Sequence, residues 1–295
     1  MRRGVAQNLT RALPFIVGAL LLRRAQASES SPAVKPSSAQ ENVQVLAERF
    51  TIPGLDRERT VRLYLPPGYG RSPRRYPVLY MHDGQNLFDD ATAYAGEWGI
   101  DESLNALAKS RGLELIVVGI DNGGAERIHE LNAWDHPEYG KGEGEVYMAF
   151  IVTVLKPWID AHYRTRSART HTAIMGSSMG GLICSYAISR YPQVFGKAGI
   201  FSPAYWLAPA VFADTEAHPP PATTRIYFYA GGSESLSMVP DTERMASLLK
   251  RSGVPARNLR VEVNPVGRHN EAAWRAEFPR AIRWLFRDTP PAAAR

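Results

Sequence analysis

Short runs of β-branched and aromatic residues alternate with longer stretches of helical spacing through most of this chain. The runs at 60–65, 76–82, 113–120, 171–176, 199–202, 225–230 and 259–264 predict strands. Between them, 99–109, 145–162, 180–189, 242–252 and 271–286 carry apolar residues at helix period. This alternation predicts an α/β fold, a mostly parallel sheet with helices on both faces. The early runs 49–52 and 60–65, joined by PGLDRE without helical spacing, predict an antiparallel pair at the N-terminal sheet edge. In such sheets chemistry collects at the carboxyl ends of the strands, where loops run into helices.

The ends of the chain have a different texture. Residues 1–27 carry a basic start, the apolar run ALPFIVGALLL at 12–22, and Ala25-Gln26-Ala27, which suits signal peptidase. They are read as a signal peptide, with an uncleaved membrane tether or a misassigned start as the alternatives, and imply a periplasmic or secreted protein. The apolar run is shorter than the roughly 20 residues a span needs, so no stable membrane span is expected after cleavage. Residues 28–42, rich in Ser, Pro and Ala, predict a flexible leader, and 289–295 a disordered tail, leaving one folded domain over 43–288.

Charge and cysteine content narrow the chemistry. The formal charge is +6, but Arg2, Arg3, Arg11, Arg23 and Arg24 all precede residue 28, where there is no acid. The rest of the chain is near neutral and offers no electrostatic footprint for nucleic acid. Cys184 is the single cysteine, which excludes an internal disulfide and a cysteine metal cage. The histidines show no H-x-x-x-H spacing, and neither a metal nor a cofactor is expected.

After HTAIM comes Gly176-Ser177-Ser178-Met179-Gly180-Gly181, followed by the helical pattern GLICSYAIS. This is G-x-S-x-G in a strand-turn-helix context, with glycine expected two before and two after the serine because strand and helix approach closely there. Ser178 is therefore the candidate nucleophile, and Ser177 is not. A serine hydroxyl needs a base, and in this motif's usual chain order the acid and then the histidine follow the serine. Of the histidines after Ser178, His269 lies between a predicted strand and a predicted helix, whereas His218 sits in the Pro-rich TEAHPPPAT. His269 is the candidate base. Glu234 follows the run RIYFYAGGS and is the favoured acid; Asp241, at the start of the next helix where an N-cap role would explain it, is its competitor.

An oxyanion hole needs two backbone donors, one from the residue after the nucleophile and one from an earlier loop. Met179 and Gln85 are the candidates, with Asp83 bracing the Gln85 loop. Trp98, Trp134, Tyr205, Trp206 and Trp274 fall in or beside loops on the catalytic edge and are candidate substrate-binding residues. Arg127 and Glu130, in GGAERIHEL, are candidates for a lid ion pair or substrate contact, or form an ordinary surface pair.

Taken together, LYLPPGYG, YPVLYMHDGQNLFDD, VVGIDN, GSSMGGL, FSPAYW and GRHNEAAW resemble the putative-esterase family over most of residues 45–287. That family is similar to esterase D, feruloyl and acetylxylan esterases, enterobactin-type siderophore esterases and mycolyl transferases. The resemblance implies an α/β-hydrolase fold, Ser178 as nucleophile, His269 as base, and Gln85 and Met179 as the oxyanion hole. It places an acid at Glu234, although members working with a Ser–His pair leave that role open. The expected activity is a serine esterase acting on a small-molecule or carbohydrate ester, with carbohydrate- or aryl-linked acyl groups the first choice. A siderophore trilactone esterase is the alternative, and a non-catalytic hydrolase-like binding protein a third.

Overall fold

The computed structural model describes residues 35–287; the expected signal at 1–27 and the tail at 289–295 lie outside them. The described chain runs β1 (Val43–Val45), β2 (Phe50–Ile52), β3 (Arg57–Arg59), β4 (Val61–Tyr64), β5 (Val78–His82), α1 (Ile100–Arg111), β6 (Ile116–Ile120), α2 (Arg127–Glu130) and α3 (Gly144–Phe150). It continues α4 (Lys156–His162), β7 (Thr172–Ser177), α5 (Met179–Arg190), β8 (Lys197–Phe201), α6 (Ala210–Ala217), β9 (Arg225–Gly231), α7 (Met238–Arg251), β10 (Leu259–Asn264) and α8 (Glu271–Leu285).

The main sheet has eight strands in the order β1-β4-β6-β5-β7-β8-β9-β10. From β6 to β10 every neighbouring pair is parallel, and β4 pairs antiparallel with both β6 and β1. The inner strands are apolar at nearly every position because both sheet faces are covered. Along β5, Val78 and Tyr80 join one core with α3, α4, α5 and α7, while Leu79 and Met81 join the other with α1 and α8. This two-sided cover holds the carboxyl ends of β5, β7, β8 and β9 side by side. Among the described residues no helix is long and apolar enough to cross a membrane.

Some details depart from the pattern. The antiparallel edge exists, but its hairpin is not 49–52 with 60–65: Phe50–Ile52 pairs with Arg57–Arg59 in a separate two-stranded sheet. Gly54 and Asp56, at φ 86° and 52°, reverse the chain directly after Ile52. Val61–Tyr64 is thereby left to enter the main sheet, with Val43–Val45 as its outer partner. The expected leader also ends earlier than its composition suggests. Ser37 Oγ and Ser38 N–H donate to Asp89 (2.7 and 3.1 Å), and Gln40 N–H donates to Asp101 (2.8 Å). The helix expected over 145–162 is interrupted by a π-turn at Ile151–Leu155. Pro157, just beyond it, has no N–H to close an ordinary turn, and the wider turn accommodates its ring.

Candidate active site

β7 runs into α5 through Ser178, whose backbone sits at φ 58°, ψ −122°. Such a φ costs a non-glycine residue about 1–3 kcal/mol and persists only where its surroundings hold it. Here Ser178 N–H donates to Phe201 O (2.9 Å), and Ser178 O accepts from Leu182 and Ala204 N–H (3.0 Å each). A Cβ on Gly176 would lie 2.8 Å from the Gly180 backbone, and one on Gly181 would lie 2.9 Å from Phe201 O. At Gly180 the nearest neighbour is His82 Cβ at 3.3 Å, a softer limit. The steric demand for glycine thus falls on 176 and 181 rather than on 176 and 180.

Glu234 follows β9 and its side chain is 1% exposed; His269 follows β10 and donates from Nδ1 to Glu234 Oε2 at 2.7 Å. The other carboxylate oxygen accepts from Gly231 N–H and Ser202 Oγ, both at 2.7 Å. Ser202, fully buried at φ 43°, in turn accepts from Trp274 Nε1 at 2.9 Å. The Trp274 indole also meets the His269 ring edge-on, with centroids 5.1 Å apart. With two other donors fixing its second oxygen, Glu234 can hold the imidazole in one orientation, proton on Nδ1 and lone pair on Nε2. Asp241 lies in the first turn of α7, behind Ser237 at the N-cap position, so the N-cap reading of it is corrected. Its carboxylate makes no hydrogen bond to His269.

The loop after β5 is built around Asp83, itself left-handed at φ 58°. Its carboxylate accepts from Arg127 Nε and Nη2 (2.6 and 2.8 Å) and from Asn122 Nδ2 (2.6 Å). Burial works against this carboxylate, but Arg127 and Asn122 outweigh it and hold its pKa below the ordinary range. Gln85 Oε1 accepts from Asn122 N–H (3.0 Å), which ties the loop to the one after β6. A Cβ on Gly84 would meet the β6 backbone at 2.7 Å, so Gln85 is carried in over a close contact. Met179 opens α5, where an N–H has no carbonyl four residues back to bond. His82, also at this end of β5, is kept neutral by burial, which lowers its pKa to about 4.

Ser178, His269, His82, Asp83, Gln85, Asn122, Arg127, Trp98, Trp274 and Glu271 all line one cleft of ≈ 620 Å³. Trp98 and Trp274 are therefore where the sequence places them, packed on each other with centroids 5.5 Å apart. The remaining aromatic candidates are not. Trp134 packs edge-on against Tyr186, Tyr205 is buried with its hydroxyl on Ser185, and Trp206 is 55% exposed; none lines the cleft. Tyr94, 95% exposed, and Glu271 line it without having been singled out. Ser202 was likewise missed, because one serine at a strand end carries no spacing signal.

Arg127 and Glu130 form no ion pair with each other. Arg127 belongs to Asp83, and Glu130 is buried against Arg59 and bonded to Arg57 at 3.0 Å. A single turn of α2 points them into different networks. Glu130→Ala is expected to lower the unfolding free energy by about 3–5 kcal/mol, read from urea denaturation, because it strands the buried Arg59. A loss below 1 kcal/mol would show that Arg59 finds water or another partner.

The sequence profile described as "Putative esterase" matches residues 52–285. The chain is 26% identical over 242 residues to the Bacillus subtilis uncharacterized protein YbbA, covering 77% of this chain and 92% of that one. It is 25% identical to an endo-1,4-beta-xylanase/feruloyl esterase of Xylanibacter ruminicola, covering 78% of this chain and 29% of that protein. Among solved structures, the enterobactin esterase FES of Shigella flexneri superposes with TM-score 0.69 at 18% identity, covering 86% of this chain and 61% of that one.

Proposed function

We propose that this chain, which belongs to the putative esterase family, is a serine esterase that hydrolyses carboxylic esters through an acyl-enzyme. The observation that carries the proposal is the convergence of Ser178, on its strained elbow, and His269, held by buried Glu234, in one cleft. His269 Nε2 takes the Ser178 proton as Oγ attacks the ester carbonyl. The amides of Gln85 and Met179 stabilise the oxyanion, and the imidazolium then protonates the departing alcohol. Water, deprotonated by the same imidazole, releases the acid and restores Ser178.

The preferred substrates are carbohydrate- or aryl-linked acyl esters. Trp98 and Trp274 line the cleft with apolar ring atoms and Asn86, Asn122 and Glu271 with polar ones, the mixture that a sugar or phenolic ring presents in return. The relation to a feruloyl esterase supports the same reading; the chain is also 27% identical over 235 residues to the iron(III) salmochelin esterase of Escherichia coli, covering 74% of this chain and 52% of that one, which supports the siderophore alternative. Export on residues 1–27 completes the proposal, placing the reaction in the periplasm or outside the cell.

The test is fluorophosphonate labelling of the purified protein with mapping of the labelled peptide, followed by assays on 4-nitrophenyl acetate, methyl ferulate and a catecholate trilactone. Labelling of Ser178 with turnover of methyl ferulate is the expected result. Folded protein that neither labels nor hydrolyses any of the three would sink the esterase reading in favour of a binding role.

A further inference from the structure

The charged side chains lining the cleft are Asp83, Arg127, His269 and Glu271. Asp83 and Arg127 hold each other through two hydrogen bonds and cancel, and His269 is matched by buried Glu234 behind it. Glu271 remains. It is only 9% exposed, and among the described residues its side chain forms no ion pair and no hydrogen bond to another residue. Its position at the first turn of α8 explains part of its presence, since a carboxylate there faces the positive end of the helix. That does not explain why the side chain lines a substrate cleft.

We infer that Glu271 is a specificity-determining residue: its carboxylate, which forms no ion pair among the described residues, makes the cleft select uncharged, hydroxyl-bearing esters and reject anionic ones. The inference rests on the esterase reading and refines it. A carboxylate accepts hydrogen bonds and donates none when ionised, so sugar or phenolic hydroxyls can satisfy it while a second carboxylate cannot. Two like charges in a partly desolvated cleft repel far more than in water. Burial pushes the Glu271 pKa above the ordinary glutamate range, against the hydrogen bond its carboxylate accepts from its own N–H; the Asp83 charge adds to the rise, and His269 and Arg127 oppose it. Assays therefore belong at pH 8. By the same logic a ferric catecholate complex, which carries several negative charges, is a poor fit to this cleft.

The experiment compares kcat/KM for pairs that differ in one charge. 4-Nitrophenyl hydrogen glutarate against 4-nitrophenyl methyl glutarate puts the charge on the acyl side. 4-Carboxyphenyl acetate against methyl 4-acetoxybenzoate puts it on the alcohol side. The full-length protein is expected to prefer the neutral member of at least one pair by about tenfold or more. Glu271→Gln is expected to shrink that ratio below about threefold, and Glu271→Asp, which keeps the charge, to preserve it. Equal rates within both pairs in the unmodified protein, or a preference that survives Glu271→Gln, would overturn the inference. Should Glu271→Gln not fold, as judged by its thermal unfolding midpoint, the Glu271→Lys variant carries the same test with the preference reversed. Failure to hydrolyse any of the four esters, together with failure of Ser178 to label, would instead remove the esterase reading itself.

Discussion

Ser178→Ala is expected to lower kcat/KM on 4-nitrophenyl acetate by about ten-thousandfold or more. The size follows from what alanine removes. The proposed oxyanion donors at Gln85 and Met179 and the rest of the cleft lining remain, so binding is expected to survive, but no covalent acyl-enzyme can form and His269 has no hydroxyl to activate. Ser177 cannot substitute, because it closes β7 on the strand side of the elbow and only Ser178 has the left-handed φ that lifts a side chain clear of the turn. Stability should change by no more than about 1 kcal/mol, since the bonds that hold residue 178 are made by its backbone. The two readings are independent, one from steady-state kinetics and one from urea unfolding. Activity retained within about tenfold would mean that the nucleophile lies elsewhere.

What could be read from the sequence, and what could not, follows from the range of the interactions involved. The parallel strands were legible because Val78–His82 and Ile116–Ile120 are buried at every position, and such runs need no knowledge of their partners. The edge hairpin was not, because its register hangs on positive φ at Gly54 and Asp56, a local turn that shifts the pairing by several residues. Ala210–Ala217 escaped notice because eight residues between proline-bearing segments are too few to show a helical period.

The site divides the same way. Ser178 and His269 sit in motifs whose glycines and flanking strand and helix announce them, and Glu234 is marked by its place after β9. Which aromatic faces the cleft is a question of side-chain direction within a loop: Trp98 turns in, while the Tyr205 hydroxyl is captured by Ser185. Glu271 could be read only as an ordinary acid in a helix's first turn. The role proposed for it rests on its place in the cleft and on the lack of an ion pair among the described residues, and both are visible only in three dimensions.

Glu234→Gln is expected to lower kcat by about a thousandfold to ten-thousandfold with little change in KM, while Asp241→Asn leaves both within about twofold. The argument turns on which atom of the glutamine faces which neighbour. The Oε1 position receives two donors, Gly231 N–H and Ser202 Oγ, and the latter is oriented by Trp274 Nε1. An amide placed there must present its oxygen to those donors, which turns its NH₂ toward His269 Nδ1. The imidazole then has to accept at Nδ1 and carry its proton on Nε2, where it faces the cleft and cannot take the proton of Ser178. Substrate contacts are untouched, so the loss falls on the chemical step rather than on binding. Asp241 makes no contact with His269, and its removal costs at most its interaction with the start of α7. Should Glu234→Gln keep its rate within about threefold, Ser178 and His269 would be working as a pair, and the three hydrogen bonds converging on Glu234 would have to be assigned to holding β8, β9 and α8 together instead.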